Sequence, residues 1–238
     1  MADWERWNTH FSTSVEVEVF GVDLRLQQDP STHNLGTTVW DSSIVFAKYL
    51  QQNARKGCLS RAAVKGKNAV ELGSGMGLAG ISLALMGCDV VLTDIASVLP
   101  LLRCNADANL GKGARAGSDN AMLQQAGQVS VAELDWLQPE QLQEWAPGVD
   151  IILGTDCMYS EELLEQLLAV VLHLARAHTT VVFCNELRSD SVHSRFQELF
   201  GQHFVIKRTP HKKMDATHQH PLIDIFVCKL RKQAAAAV

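Results

Sequence analysis

A glycine-rich stretch at residues 70–80 (VELGSGMGLAG) leaves this chain few ways to fold. It begins with a short apolar run that contains the acidic Glu71 just before the glycines, and a second apolar run at residues 90–93 ends in Asp94. This carboxylate lies about 20 residues after the glycines, the spacing at which an acidic side chain reaches ribose hydroxyls. Glycines let the backbone approach a ligand closely, and a following helix presents unpaired N–H groups to it. The stretch therefore predicts a strand, a turn and a helix around a nucleoside cofactor.

Strand-like and helix-like segments alternate around this stretch. The strand-like runs cover residues 68–72, 89–93, 129–134, 149–153, 179–184, 204–207 and 223–228, and the helix-like runs cover residues 77–86, 97–108, 161–175 and 191–200. Such alternation indicates βαβ units and a mostly parallel sheet with helices on both faces. Only a polar loop, residues 209–221, separates the last two strands, so we expect them to be antiparallel. The predicted fold class is α/β, a Rossmann-like, seven-stranded, mostly parallel sheet with an antiparallel last strand.

The two ends of the chain differ from this pattern. Residues 15–20 and 22–26 alternate apolar and polar side chains on either side of Gly21, which predicts a β-hairpin, and a helix follows near residues 39–52. Residues 111–125 are rich in glycine, alanine and serine, which predicts a mobile insertion. The predicted divisions are an N-terminal hairpin and helix extension packed on the core (residues 1–66), the core (67–230) and a flexible tail (231–238).

Composition and charge narrow the class of protein. The chain of 238 residues is 47% hydrophobic, enough for one large globular domain. No apolar run approaches the roughly 20 residues that span a bilayer, and residues 1–7 contain no signal-peptide core. The net charge of -5 offers no overall basic surface to nucleic acid. We expect a cytoplasmic protein, with a nuclear location as the other option, and neither a membrane nor a nucleic acid as partner.

The sequence lacks patterns typical of metal sites and of coiled coils. The six cysteines form no C-x-x-C pair, and the nine histidines show no ligand spacing, so no metal site is expected. The sequence shows no heptad repeat or unusual apolar stripe from which an oligomeric state could be read, and a monomer is the expectation.

The glycine-rich stretch fits two cofactors. Residues 75–80 match the fingerprint G-x-G-x-x-G of NAD-binding domains. Glu71 stands directly before the loop, where it would repel a pyrophosphate but favour a cation. The fingerprint also follows a ~65-residue extension, and the antiparallel last strand departs from the all-parallel dinucleotide sheet. These features favour S-adenosylmethionine, which carries a ribose, an α-amino group and a sulfonium, and NAD remains an alternative.

Further candidates stand where ligands of open α/β sheets bind, beyond the carboxyl ends of the strands. They are Asp94, the pair Asp135 and Trp136, and residues 154–159 (GTDCMY). Trp136 is expected to lie on an adenine face, and Asp135 to accept the adenine amino group. The alternatives are plain packing for Trp136 and a helix cap for Asp94.

The motifs together resemble a known family. The glycine-rich stretch, residues 134–136 (LDW) and residues 156–159 (DCMY) look like the seven-β-strand protein-lysine methyltransferases of the methyltransferase-like twenty-one group. Residues 36–41 (GTTVWD) are similar to that family's segment before the first helix. The resemblance covers residues 36–228. It implies that residues 67–230 are a class I methyltransferase core, which uses S-adenosylmethionine to methylate a lysine side-chain amine in a non-histone protein substrate.

The resemblance also implies roles for single residues. The residues that it places around the cofactor are Trp40, Gly73, Ser74, Gly75, Asp94, Trp136 and Thr155. Glu71 and Asp135 join them because of their charge and their places next to the strands. Asp156 and Tyr159 are implied to flank the target amine, Asp156 as an orienting and docking group and Tyr159 as a wall of the channel. The alternative is that Asp156 caps the next helix and Tyr159 packs beside it.

Two segments depart from the family pattern. Residues 111–125 form a longer and more glycine-rich insertion, and residues 185–188 (NELR) are only loosely similar. Both are expected to shape the surface that receives the substrate. Two other functions remain open, a class I methyltransferase that acts on a small molecule or nucleic acid, and a methyltransferase fold that only binds.

Overall fold

The computed structural model describes residues 9–32, 34–116 and 118–232. Its strands are β1 (Ser14–Val19), β2 (Val22–Gln27), β3 (Asn68–Leu72), β4 (Asp89–Asp94), β5 (Val129–Glu133), β6 (Ile151–Thr155), β7 (Thr180–Glu186), β8 (Phe204–Arg208) and β9 (Ile223–Leu230). Its helices are α1 (Asp41–Asn53), α2 (Arg61–Val64), α3 (Leu78–Leu85), α4 (Leu99–Leu110), α5 (Lys112–Ala116), α6 (Ala121–Gln124), α7 (Glu161–Leu174) and α8 (Asp190–His203).

The central sheet has seven strands in the order β5-β4-β3-β6-β7-β9-β8. The first five run parallel to one another, while β9 is antiparallel to both of its neighbours, β7 and β8. Because no helical crossover separates β8 from β9, an antiparallel pairing is the arrangement that the short connection permits. The predicted fold class, including the antiparallel last strand, is confirmed.

Helices cover both faces of this sheet. Successive side chains of β6 point to opposite faces, so Ile152 packs with α7 and α8 while Leu153 packs with α1, α3 and α4. The chain leaves β3 towards β4 on one side, and β6 lies on the other side of β3. This reversal opens a crevice at the carboxyl ends of β3 and β6, the place where ligands bind in open sheets.

The predicted hairpin, β1 and β2, lies against α4. The Asn105 side chain accepts from the Gln27 N–H at 2.8 Å and donates to its carbonyl at 2.9 Å. Asn109 does the same for Arg25 at 2.9 Å and 2.8 Å. These two amides satisfy the free edge of β2 as a further strand would. The hairpin is thereby attached to the helix that follows β4.

The segment at residues 111–125, of which residue 117 is not described, makes specific contacts with distant parts of the chain, and its mobility stays a prediction. It contains α5 and α6, and the Asn120 side chain donates to the carbonyls of Phe20 and Gly21 at 3.2 Å and 2.9 Å. Arg115 donates to the carbonyls of Ala126 and Gly127 at 2.7 Å and 2.6 Å. These contacts join distant parts of the chain, which local composition does not reveal.

At the C-terminal end, the exposed Arg231 donates its N–H to the His203 carbonyl at 2.8 Å. Residues 233–238 of the expected tail lie outside the described residues, as do residues 1–8, which include the segment expected to lack a signal-peptide core. Within the described ranges, no helix has both the length and the apolar character to cross a bilayer. The predicted domain boundaries stay a prediction.

Candidate active site

A cavity of about 270 Å³ opens at the carboxyl edge of the parallel strands. Most of the residues that the sequence singled out lie on its wall: Trp40, Gly73, Gly75, Asp94, Asp135, Trp136, Thr155, Asp156 and Tyr159. They come from the segment before α1 and from the ends of β3, β4, β5 and β6. Glu71 and Ser74 are the two predicted site residues that do not line it.

The glycine loop approaches its neighbours too closely for side chains. Gly73 and Gly75 have φ values of +60° and +52°, in the left-handed region that favours glycine. A Cβ on Gly75 would lie 3.2 Å from the Gly36 carbonyl oxygen, and one on Gly73 would lie 3.3 Å from the Trp136 ring. The loop therefore leaves its backbone exposed to the cavity between these two segments.

Ser74 faces away from the cavity. Its Oγ donates to the Glu71 carbonyl at 3.2 Å and accepts from the Thr93 N–H at 2.9 Å. The Ser74 N–H donates to the Thr93 carbonyl at 2.8 Å. Ser74 attaches the loop to β4, and the turn directs its side chain away from the cavity wall, so its contact with the cofactor stays a prediction.

Asp94 stands at the end of β4 with two protein hydrogen bonds. One carboxylate oxygen accepts from the Gly75 N–H at 2.8 Å, and the other accepts from the Ile95 N–H at 2.9 Å. A carboxylate has about four acceptor sites, so two remain for hydroxyl donors in the cavity. Burial raises the pKa of this carboxyl, and the two N–H groups oppose that shift. Asp94 caps no helix, because α4 begins at Leu99 with Val98 as its N-cap.

Glu71 lies behind the loop and does not line the cavity. Its side chain is fully buried, and one oxygen accepts from the Gly80 N–H at 3.1 Å. Burial raises the pKa of this carboxyl to about 8, so the group is mostly protonated at neutral pH. The predicted acidic lining by Glu71 is therefore wrong. The Glu71 carboxyl instead holds the first turn of α3 by accepting from the Gly80 N–H.

This burial predicts a pH dependence of stability. The folded-state pKa of Glu71 lies above its ordinary value of 4.5, so stability present below pH 4.5 is lost as the pH rises towards about 8. The free energy of unfolding of the native protein, relative to Glu71→Gln, should fall by up to about 1.4 kcal/mol per pH unit in this window. Urea unfolding between pH 5 and pH 8 measures it, with Glu162→Gln on an exposed face of α7 as the control. A difference that is constant with pH would contradict the buried, protonated state.

Asp135 and Trp136 follow β5 and form another wall of the cavity. Each Asp135 oxygen accepts one bond within its own turn, from the Leu137 N–H at 3.0 Å and from the Gln138 side chain at 2.9 Å. Trp136 lines the cavity and also packs against the core on the α7 and α8 side. The two expectations for Trp136, a ligand face and plain packing, therefore both describe part of its environment.

Asp156 occupies a strained position just after β6. Its φ is +55°, in the left-handed region, and its N–H donates to the Cys184 carbonyl at 2.9 Å. One carboxylate oxygen accepts from the Glu186 N–H at 3.0 Å. The other pairs with the Arg188 guanidinium at 3.1 Å. Asp156 thus bonds to the end of β7 and not to α7, where Ser160 is the N-cap, so the helix-capping alternative fails.

Electrostatic effects on Asp156 oppose one another. Burial raises the pKa of the Asp156 carboxyl, and the Arg188 charge is the largest effect that lowers it. Arg188 also pairs with Glu186 at 2.8 Å, and its guanidinium carbon lies 4.7 Å from the centre of the Trp40 ring. Tyr159, 45% exposed, stands at the mouth of the cavity beside this group.

The sequence arguments missed several residues of the wall. They include Asn34, Leu35, Ile95, Leu163 and Arg188. Arg188 carries the clearest chemistry of these, and its only signal was its place in the divergent segment 185–188 that follows a strand. Across the described parts of the chain, no cluster of three or more His, Cys, Asp or Glu side chains is arranged to hold a metal ion.

Comparison with known proteins decides the class of this site. A family model described as lysine methyltransferase matches residues 20–202. The chain belongs to the lysine methyltransferase family. This membership confirms the resemblance seen in the sequence, the enzyme class and S-adenosylmethionine as the cofactor. It also confirms protein-lysine methylation as the activity.

Individual relatives match over most of their length. The protein N-lysine methyltransferase METTL21A of Danio rerio is 31% identical over 206 residues, which covers 87% of this chain and 85% of the relative. The EEF1A lysine methyltransferase 3 of Mus musculus is 27% identical and covers 84% of each chain.

Solved structures with a similar fold share little sequence. A 16S rRNA methyltransferase of T. Thermophilus in complex with AdoMet and guanosine is 17% identical, with a TM-score of 0.62 over 92% of this chain and 50% of that chain. The magnesium protoporphyrin IX methyltransferase of Synechocystis with bound SAM is 16% identical, with a TM-score of 0.55 over 80% of each chain. At these identities the likeness supports the fold alone.

Proposed function

We propose that this enzyme binds its methyl donor and its target lysine in one cavity, with the amine held between Asp156 and Tyr159. A single observation carries the proposal. The glycine loop and Asp94 line the same cavity as Asp156 and Tyr159. A donor bound on the first part and an amine bound on the second part would meet inside the cavity.

The donor half fits the proposed cofactor. Asp94 keeps two acceptor sites for ribose hydroxyls, and the glycine loop offers backbone to a ligand that approaches closely. Trp40, Trp136 and Thr155 are proposed to border the same ligand. S-adenosylmethionine supplies an electrophilic methyl group: the lone pair of a neutral amine forms the N–C bond as the S–C bond breaks towards sulfur, leaving S-adenosylhomocysteine and a proton for the solvent.

The acceptor half must bind a lysine and let it lose a proton. A lysine amine has a reference pKa of about 10.4, so it arrives mostly as an ammonium. The Asp156 carboxylate can dock and orient that ammonium, and the Tyr159 ring can attract it from the mouth of the cavity. Burial in the cavity then favours the neutral amine that attacks the methyl group. Asp156 is an orienting group in this scheme and not a strong base, because its charge alone would keep the amine protonated.

A methyl-transfer assay tests this proposal. Extract from cells that lack this chain is incubated with the purified enzyme and radiolabelled S-adenosylmethionine, and portions are then treated with protease or nuclease. We expect label that protease releases and nuclease does not, and mass spectrometry should place it on lysine. EEF1A, which the name of one relative gives as its substrate, is the first purified acceptor to try. Label that survives protease, or that nuclease removes, would favour a small molecule or a nucleic acid as acceptor.

We further propose a cytoplasmic, partly nuclear monomer that acts on a non-histone protein and binds neither nucleic acid nor membrane. Free thiols support the compartment, because all six cysteines are unpaired in the structure and a reducing environment keeps them so. The net charge of -5 supports the absence of a nucleic-acid partner. Light scattering of the purified protein and imaging of a tagged chain test the oligomeric state and the location.

A further inference from the structure

Arg188 connects two buried carboxylates and an aromatic ring at the acceptor side of the cavity. Its guanidinium lies 3.1 Å from an Asp156 oxygen and 2.8 Å from a Glu186 oxygen. The side chains of both acids are only 3% exposed, whereas that of Arg188 is 31% exposed. The Trp40 ring lies under the guanidinium at 4.7 Å.

This arrangement differs from an ordinary surface ion pair. Two carboxylates buried side by side repel each other, and removing their cation leaves an uncompensated charge in a poorly solvated site. One terminal nitrogen, Nη2, makes both ion pairs, and the planar guanidinium also lies over the Trp40 ring, a stacked arrangement that a lysine ammonium does not form. The contacts therefore hold both Arg188 and the Asp156 carboxylate in one orientation.

The same group lies where it can act on the target amine. Arg188, Asp156 and Tyr159 all line the cavity that is proposed to receive the lysine. With the acids alone, the local field would stabilise the ammonium and oppose the attack on the methyl group. A guanidinium beside them cancels part of that field, because a nearby cation disfavours a second positive charge.

We propose that Arg188 is a positioning residue that fixes the Asp156 carboxylate and, through its permanent charge, lets the bound lysine amine lose its proton near neutral pH. This inference rests on the proposed function of the same cavity. It gives the divergent segment 185–188 a specific use. Asp156 attracts and orients the lysine, and Arg188 prevents that attraction from keeping the amine protonated.

Other titratable groups face the same space and must be separated from Arg188. Asp94, Asp135, Cys157 and Tyr159 line the cavity, and His193 of α8 lines a small second cavity of about 20 Å³ that Arg188 also lines. Burial raises the pKa of the Cys157 thiol well above its ordinary value and that of the Tyr159 hydroxyl above its own, so both stay neutral near pH 7. His193→Gln is therefore included as a control for titration of that ring.

Arg195 offers a matched control for the main substitution. It belongs to α8, its side chain is 34% exposed, and it pairs with Glu165 and Glu198 at 2.8 Å each. Each substitution thus removes a guanidinium that pairs with two acids, Arg188→Gln at the cavity and Arg195→Gln away from it. Arg188→Lys keeps the charge and loses the planar group that lies over Trp40.

The pH profile of methyl transfer is the decisive measurement. Extract from cells that lack this chain contains acceptor at trace concentration, so the initial labelling rate of one band reports relative kcat/KM for each variant. We expect Arg188→Gln to lower this rate at least about tenfold at pH 7 and to move its acid limb about one unit or more towards alkaline pH. Arg188→Lys should keep the wild-type limb at a reduced rate, and Arg195→Gln should match the wild type. S-adenosylmethionine affinity, measured by calorimetry, should be unchanged in all three.

Two outcomes would overturn the role of Arg188. A loss of rate in Arg188→Gln that is equal at every pH would indicate a structural effect alone, and a pH profile like that of Arg195→Gln would indicate no effect.

A second experiment, on stability, needs no acceptor. Without Arg188, the pKa of Asp156 should rise, so Arg188→Gln should lose stability in urea relative to Arg195→Gln as the pH rises from 5 to 8.

The two arms keep the two proposals apart. If the wild type labels no protein at any pH, the proposed function fails, and the unfolding comparison still decides whether Arg188 keeps Asp156 charged. If the stability difference between Arg188→Gln and Arg195→Gln does not grow with pH, Arg188 does not keep Asp156 charged. If the wild type labels protein but the acid limb of Arg188→Gln coincides with that of the wild type, the proposed function stands and the inference about Arg188 is wrong.

Discussion

Asp156→Asn is expected to reduce methyl transfer about 100-fold or more, while affinity for S-adenosylmethionine stays near that of the wild type. Asparagine is the best probe because it tolerates the left-handed backbone that Asp156 adopts at φ +55° and keeps one acceptor for the Glu186 N–H. It removes only the negative charge that pairs with Arg188 at 3.1 Å and that would orient the lysine ammonium. Labelled methyl transfer and calorimetry measure the two quantities.

A matched aspartate controls for this loss of charge. Asp150 also accepts a backbone N–H, from Asn68 at 3.0 Å, and pairs with a cation, Lys67 at 3.0 Å. It precedes β6, at the amino end of the sheet, whereas Asp156 follows the carboxyl end. Asp150→Asn should leave methyl transfer intact. Equal losses of transfer and cofactor affinity in Asp156→Asn would show that this residue serves the cofactor and not the amine.

Asp94→Ala is expected to weaken S-adenosylmethionine binding by about 1.5–3 kcal/mol, roughly 10- to 150-fold, the range for hydrogen bonds to a charged group. The substitution removes the two acceptor sites that are proposed to bind the ribose hydroxyls, and it leaves the Gly75 and Ile95 N–H groups without the Asp94 carboxylate. Calorimetric titration measures the affinity. Asp94→Asn should give a smaller loss, since one acceptor oxygen remains.

The control for Asp94 lies at the other end of the same strand. Asp89 begins β4 and accepts from the Gln128 N–H at 2.7 Å, far from the cavity. Asp89→Ala should leave cofactor affinity unchanged even if it lowers stability. Unchanged affinity in Asp94→Ala would remove Asp94 from the cofactor site and leave the glycine loop without its proposed acidic partner.

The strands and the glycine turn were predictable because their signals are local. A run such as residues 151–153 is apolar on both faces, as expected for a central parallel strand, and the carboxyl ends of such strands meet at one edge. That rule alone predicts that Asp94, Trp136 and Asp156 lie near one another. The antiparallel β9 followed from the absence of a helix after β8.

Side-chain direction and long-range partners were not predictable. Glu71 and Ser74 belong to the same motif as the cavity residues, but the turn directs both inward, and no pattern in the sequence encodes that choice. Arg188 meets Asp156 across β6 and β7, some 30 residues apart in the chain. Likewise, Asn120 reaches the hairpin turn about 100 residues away. Contacts of this kind depend on packing that periodicity does not report.

The antiparallel strand β9 brings the loop that precedes it to the edge of the sheet at which the cavity opens. Because β9 runs against β7, the chain enters it at the carboxyl edge, and the Leu222 carbonyl accepts from the Leu187 N–H at 2.7 Å, next to Arg188. A loop tolerates changes of length well, since each doubling adds only about 0.6 kcal/mol of closure entropy. Within the loop, Met214 is buried in the core and the Lys213 carbonyl accepts from the Asn53 side chain at 2.8 Å, so changes of length are best absorbed by residues 215–222. That part of the loop ends beside Arg188, whereas the donor side is formed by the ends of β3, β4 and β5.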